Sequence, residues 1–279
     1  MSTLKIIVCC HKKDIYKESD IYMPIHVGKA ISNVDLGIPG DDTGDNISAK
    51  NASYCELTGM YWAWKNLKGV DYIGLCHYRR YFDFMHNGRR FFPMTTFKTK
   101  DLTKLDFSIS KKALNVLEGG GCIIAKPDHL DTSLFRHYCE GHIKEDIMKL
   151  GDVIKETQPD KYMQAFWDYL IRDNRFSPCN MFIMNWQQFD RYCSWLFPLL
   201  NNLEQRIDIS HYTTYQKRVF GYLAERLLNM YVRAEKLQLL TLPIMKISDD
   251  KEIDNMSSCK YLGRVMVRNI AFSMIKHTL

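Results

Sequence analysis

The chain has 279 residues, 46% of them hydrophobic and 25% charged, which is enough apolar material for a sizeable core and too little charge for a disordered chain. A formal net charge of +6 suits an anionic ligand, an anionic membrane surface or nucleic acid and selects none of them alone. Nine cysteines without CxxC spacing, behind an N-terminus that lacks the pattern of a secretory leader, predict reduced thiols in the cytoplasm and no structural zinc.

Leu4 to Cys10 (LKIIVCC) is a continuous apolar run with β-branched residues, the pattern of a buried first strand. A turn-rich loop from Gly37 to Asn46 follows, then a helix from about Asn51 to Leu67 on which Leu57, Met60, Tyr61, Trp64 and Leu67 fall at helical spacing. Ser53 and Glu56 have capping-box spacing within it. Further strands are predicted at Tyr72 to Tyr78, Cys122 to Ala125 and Met181 to Met184, with helices at Ser133 to Leu150 and Tyr162 to Ile171 between the last two. Two long amphipathic helices come next, one carrying Phe189 to Leu203 and interrupted or kinked at Pro198, the other carrying Val219 to Ala234. No segment approaches the ~20 apolar residues of a membrane span. Strands separated by helices imply an α/β fold, a mostly parallel sheet covered on both faces, with ligands beyond the carboxyl ends of its strands. One domain is expected over 1–240, with an extension over 241–279 that packs on the domain or lies at a membrane surface.

The strand ending His77-Tyr78-Arg79-Arg80 carries the most chemistry. Alternation along a continuous strand puts His77 and Arg79 on one face and Arg80 on the other. His and Arg at a strand end suit a diphosphate, because the guanidinium offers a planar fork of donors; a solvated strand end paired with surface acids is the other reading. In the loop that follows the first strand, Asp42, Asp45 and Asn46 offer acceptors for ribose or an ion, and Lys50 and Asn51 offer donors for phosphate; composition alone reads the segment as a turn. Glu56, Gly59 and Ala63 form a stripe on the first helix that would admit close approach of another backbone or a ligand. His142 and Asp146 are four residues apart and would share a helix face as a His–carboxylate pair. Arg218, Gly221, Glu225 and Asn229 form a polar stripe on the last long helix, where an interior glycine signals close packing or ligand approach. Gly263 to Leu279 is apolar with Arg264, Arg268 and Lys276 interspersed, as in a core helix or a helix on an anionic membrane.

The stretches KIIVCCHK, DDTGDNISAKNASYCELTGMYWAWKN, YIGLCHYRRYF, NMFIMNWQQFDRYCSWLF and RVFGYLAERLLNMY together resemble a bacterial family long catalogued as a domain of unknown function and found in capsular, exopolysaccharide and lipopolysaccharide gene clusters. The resemblance runs to about Tyr231. It implies a nucleotide-binding α/β sandwich of the A-type glycosyltransferase kind, a UDP-linked donor and transfer of a hexosyl group, galactose or its furanose form among them, to a saccharide or lipid-linked saccharide. By that likeness His77, Arg79, Arg80, Asp42, Asp45, Asn46, Lys50 and Asn51 face the donor, whereas Asn180, Trp186 and Arg218 border the acceptor. Glu225, Asp146 and His142 are the candidates for catalysis, and Arg79→Ala is expected to abolish transfer. The HYRR strand stands where many A-type enzymes carry an Asp-x-Asp motif, so either cationic side chains neutralise the diphosphate or His77 and a loop Asp hold Mn²⁺ or Mg²⁺ differently. A non-catalytic saccharide-binding subunit of an assembly complex is the reading from another class. Nucleic acid is not an expected partner, because the basic residues form no groove-tracking cluster.

Overall fold

In the computed structural model, which describes residues 2–89, 91–249 and 256–275, the opening apolar run is β1 (Leu4–Cys10). The other strands are β2 (Tyr22–His26), β3 (Tyr72–His77), β4 (Arg80–Phe82), β5 (Met94–Phe97), β6 (Cys122–Ala125), β7 (Asp128–His129), β8 (Arg175–Phe176), β9 (Phe182–Asn185), β10 (Leu239–Leu242) and β11 (Ile244–Ile247). Alternation decides which side chains each face buries. Ile7, Cys9, Ile73, Leu75 and Phe182 point into one core, while Ile6, Val8, Cys10, Cys76 and Ile183 point into the other. A strand buried on both faces reads as an unbroken apolar run, which is why β1 and β6 stand where the sequence predicts them.

All but β7 and β8 belong to one nine-stranded sheet. β1 runs parallel to β2 and β3, β10 runs parallel to β6, and β9 enters antiparallel between β3 and β6. The α/β sandwich is thus the expected one, with a sheet more mixed than the strand–helix alternation suggested. On the other side of β3 the chain turns back into β4, which pairs antiparallel with β11, and β5 joins β11 in parallel. The sheet therefore continues past residue 240, and β10 straddles the expected boundary.

The helices are α1 (Asn51–Tyr54), α2 (Leu57–Asn66), α3 (Lys111–Glu118), α4 (Leu134–Gly141), α5 (Lys144–Thr157), α6 (Asp160–Arg172), α7 (Trp186–Glu204), α8 (Val219–Ala234) and α9 (Ser258–Ile275). Helices α2 and α4 to α8 cover the first face of the sheet, whereas α3 covers part of the second. α7 passes through Pro198 without interruption, held by an apolar stripe that includes Phe189, Leu196, Leu200 and Leu203. Two predicted helices divide. The first breaks at Cys55, whose φ of 53° and ψ of −131° no helix accommodates. Ser53 then bonds back to the Lys50 carbonyl, and the expected capping box does not form. The second divides at His142, which is extended at φ −141° and ψ 173°. His142 and Asp146 consequently belong to successive segments rather than to one helix face.

A candidate donor-binding cavity

β1 and β3 run side by side and in parallel, so their carboxyl ends, Cys10 and His77, emerge together. β9 runs the opposite way, which brings its leading residues Cys179 and Asn180 to the same end of the sheet. A cavity of about 650 Å³ opens there, closed on its far side by α1 and the start of α8. Its position obeys the rule that ligands of open α/β sheets collect beyond strand ends.

The turn Tyr78–Arg79 decides which cation enters the cavity. β3 ends at His77, the chain reverses, and His77 pairs directly with Arg80 across the hairpin. Cross-strand partners share a face, so both line the cavity. The expectation from alternation, His77 with Arg79 and Arg80 opposed, fails because the strand does not continue. Arg79 instead points to Asp14, with guanidinium contacts of 2.7 and 2.8 Å. Lys217 and Arg218, just before α8, add two more cations to the wall. Arg218 donates to the Cys55 sulfur at 3.4 Å and lies over the Tyr222 ring.

Facing these cations are two carboxylates, Glu56 and Glu225. The Glu225 Oε1 accepts the Cys179 backbone N–H at 2.8 Å, and its Oε2 lies 3.3 Å from Arg226. The Glu56 Oε1 accepts from the Asn180 amide at 2.6 Å, and the same amide reaches the Gly221 carbonyl at 3.2 Å. Burial raises both carboxyl pKa values above the ordinary range. His77 donates from Nε2 to the Cys179 carbonyl at 2.8 Å, and burial lowers its pKa to about 4. It is therefore a neutral ring at pH 7 and an orienting partner, while Arg80, Lys217 and Arg218 carry the positive charge.

The backbone is strained at this place. Of five non-glycine residues with positive φ among the described residues, Cys55, Cys179 and Asn180 belong to this cavity or its floor. Each such conformation costs of order 1–3 kcal/mol and persists where surrounding contacts enforce it, most often at functional sites. The Asn180 Oδ1 is buried without a hydrogen-bond partner among the described residues, an uncommon state for a buried polar atom.

Asn51 lines the cavity, and its amide spans the α1–α2 break by donating to the Cys55 carbonyl and to Thr58. Asn180 lies just behind the cavity wall. Asp42, Asp45, Asn46 and Lys50 lie outside it: Asp45 accepts from Tyr61 on the outer side of α2, Asn46 closes its own turn, and Lys50 pairs with Glu204 at 2.6 Å. The part of this loop that serves the cavity is Asp41, which is fully buried and accepts the N–H groups of Gly28 and Lys29 at 2.9 and 3.2 Å. Gly28, at φ 71°, leaves room for Asn51, since a Cβ there would fall 2.5 Å from the Asn51 side chain.

Trp186 begins α7 at the opposite end of the sheet, because β9 leaves the cavity and ends beside Tyr72 at the start of β3. Asp146 is buried and bonded to the Tyr212 hydroxyl at 2.8 Å, away from the cavity. His142 packs among Tyr138, Tyr215 and Tyr222, one ring behind the cavity wall, and burial lowers its pKa to about 4. Of the three catalytic candidates, Glu225 alone lines the cavity. His11, Lys217 and Cys179 line it without having been singled out from sequence. For His11 the signal was present, because it directly follows the end of β1.

An Asp-x-Asp-held cation does not fit this donor set. No carboxylate pair stands at the strand end, Glu56 and Glu225 are engaged by Asn180, Cys179 and Arg226, and no cluster of three potential ligands occurs among the described residues.

The model of a family described as a domain of unknown function, DUF4422, matches residues 5–236. A solved structure described as the apo form of the WbbM bifunctional glycosyltransferase superposes with a TM-score of 0.80 at 31% identity. The superposition covers 89% of this chain and 46% of that one, so the chain spans less than half the length of that protein. No curated protein matches the chain in sequence.

Proposed function

We propose that this chain, which belongs to the DUF4422 family, is a glycosyltransferase that moves a hexosyl group from a UDP-linked sugar to a lipid-linked saccharide in surface polysaccharide synthesis. The observation that carries the reading is the set Arg80, Lys217 and Arg218 opposite two half-buried carboxylates in one cavity, in a chain with the fold of a glycosyltransferase. Galactose, in its pyranose or furanose form, is the proposed sugar, and the inner face of the cell membrane the proposed place of work.

Each element of the cavity has a task in such a reaction. The diphosphate lies against the three cations. As the bond from the anomeric carbon to the diphosphate oxygen breaks, negative charge grows on the leaving group, and positive groups already fixed in place stabilise it without reorganising. The acceptor oxygen attacks the anomeric carbon, and its proton passes to Glu225. Burial raises the basicity of that carboxylate, and the Cys179 N–H holds it in position. The neutral His77 ring donates to the carbonyl of the same residue, Cys179, and so helps to fix its backbone.

Calorimetric titration of UDP into the folded chain, with Arg80→Ala and Arg79→Ala in parallel, tests the reading. A charge-assisted hydrogen bond contributes about 1.5–3 kcal/mol, so Arg80→Ala weakens UDP binding roughly 10- to 100-fold. Arg79→Ala removes a half-exposed ion pair with Asp14 and leaves UDP affinity within about threefold. An absence of UDP binding, together with no hydrolysis of any UDP-sugar, would replace transfer by the saccharide-binding role.

A further inference from the structure

α9 is built the wrong way round for a helix that ends in a core. Three of its polar side chains, Arg264, Arg268 and Asn269, reach back to the protein. Arg264 and Arg268 reach Asp128 at 3.6 and 3.4 Å, and Arg268 also donates to the His129 carbonyl at 2.7 Å. The Asn269 amide oxygen lies 2.9 Å from both the His129 ring and the Asn174 amide. Tyr261 stacks on Phe92 and completes the attachment. Tyr261 and Phe272 are buried against the protein, whereas a second set of apolar side chains faces outward. Leu262, Met266, Ile270 and Met274 recur every four residues and are 48%, 65%, 44% and 70% exposed, with Val267 beside them at 65%. An isolated exposed leucine means nothing, but a continuous apolar ridge on a soluble surface marks a contact.

The surroundings of the ridge say what it contacts. The sequence of α9 contains no Asp or Glu. Along its side runs a cleft of about 680 Å³, for which Phe272 of α9 supplies one wall. Lys161, Arg172, Arg175, Arg233 and Lys236 line that cleft. The acids of the lining are fewer: Asp168 meets Arg172 and Asp173 is shared between Arg175 and Arg233, while Glu235, outside the lining, meets Lys161. Lys236 has no ion-pair partner among the described residues. A protein partner would have to match an apolar ridge and a basic cleft with one specific surface. A lipid bilayer with anionic headgroups offers both chemistries at once, acyl chains for the ridge and phosphates for the cleft. No helix among the described residues is long and apolar enough to cross a membrane, which leaves α9 to lie along it.

We infer that α9 and the adjoining basic cleft form a docking surface for an anionic lipid bilayer, with Leu262, Met266, Ile270 and Met274 inserted among the acyl chains. The inference goes beyond the proposed transfer reaction and does not depend on what the cavity binds. Co-sedimentation of the whole chain with vesicles tests it, using phosphatidylcholine alone and phosphatidylcholine mixed with phosphatidylglycerol. The wild-type chain sediments with the mixed vesicles, does so at least tenfold less with the neutral ones, and is released as salt rises. Met266→Glu with Ile270→Glu, at positions exposed in the fold, loses sedimentation with an unchanged melting temperature. Arg172→Gln with Lys236→Gln weakens binding to the mixed vesicles several-fold and leaves the weak neutral binding as it was. Equal sedimentation of the apolar double variant and wild type overturns the inference. So does an absence of wild-type sedimentation with the mixed vesicles. A concentration-dependent dimer abolished by Met266→Glu and Ile270→Glu, without vesicle binding, would assign the ridge to a second copy of the chain instead. UDP titration of the same variants reads the cavity separately, so failure of docking and failure of the transfer reading are distinguishable.

Discussion

Glu225 and Glu56 share one cavity, and their hydrogen bonds give them different freedoms. Glu225 is fixed from two sides, by the Cys179 N–H and by Arg226, while Glu56 is held by the Asn180 amide. Glu225→Gln keeps an acceptor for the Cys179 N–H and removes the basic oxygen. We expect kcat to fall roughly 100-fold or more, the usual scale for a positioned base, with UDP affinity nearly unchanged; equal kcat values would leave the proton to another group. The raised pKa of Glu225 also sets a pH profile, because a base works only when deprotonated. Wild-type kcat rises with pH through a midpoint above that of an ordinary glutamate, and this acidic limb is lost in Glu225→Gln. At this scale the sequence was informative at a strand end, for His77 and Arg80, and along the polar stripe of the last long helix, for Arg218 and Glu225, and the four converge on one cavity. The division of labour between Arg79 and Arg80 was hidden, since it depends on where one strand stops and the chain turns. The loop acids Asp42 and Asp45 lie outside the cavity, a placement that composition could not give because turn-forming residues and ligand-binding residues are the same types.

At the scale of elements, β3 is the spine of the site, and Gly74 is what lets its neighbours close on it. A Cβ at residue 74 would lie 2.8 Å from Ile183, 3.0 Å from the Phe182 carbonyl oxygen and 3.2 Å from Ile6. Two of these contacts belong to β9, which cannot withdraw without breaking its ladder with β3. Gly74→Ala is therefore expected to destabilise the chain by about 1–3 kcal/mol, the typical scale of overpacking in a core; urea denaturation at fixed pH measures it, and an unchanged midpoint would show that β9 can shift. Elements with long periodic or unbroken apolar sequences were readable, as β1, β6, α7 and α8 demonstrate. Short strands such as β4, β5 and β11 were not, because each carries Arg, Thr or Lys within three or four residues, too few for a period to register and without the unbroken apolar run of β6. Breaks inside helical patterns were equally silent. The apolar spacing on either side of Cys55 continues as though the helix were whole, and the φ that ends it leaves no mark in composition.

At the scale of the whole molecule, the fold class was legible from strand–helix alternation and from the resemblance that runs to about Tyr231, whereas the outward face of α9 was not. The same letters serve for a core helix and for a helix turned inside out, and the difference lies in Asp128, a distant residue that draws the arginines inward. Lys276, which the sequence suggested as part of that basic pattern, lies outside the described residues. The hairpin that carries Arg80 also bears on how the chain can be cut. Arg80 stands opposite Lys246 in the ladder between β4 and β11, and β11 is the strand that β4 and β5 have in common. A fragment ending at residue 236, where the family match stops, or at residue 240 would leave both strands bare along that edge and take away the scaffold that aims Arg80. The shortest piece able to hold a nucleoside diphosphate should therefore run through Ile247, and one stopped at residue 240 should fold more loosely and bind UDP weakly even though every residue of the cavity wall is still present.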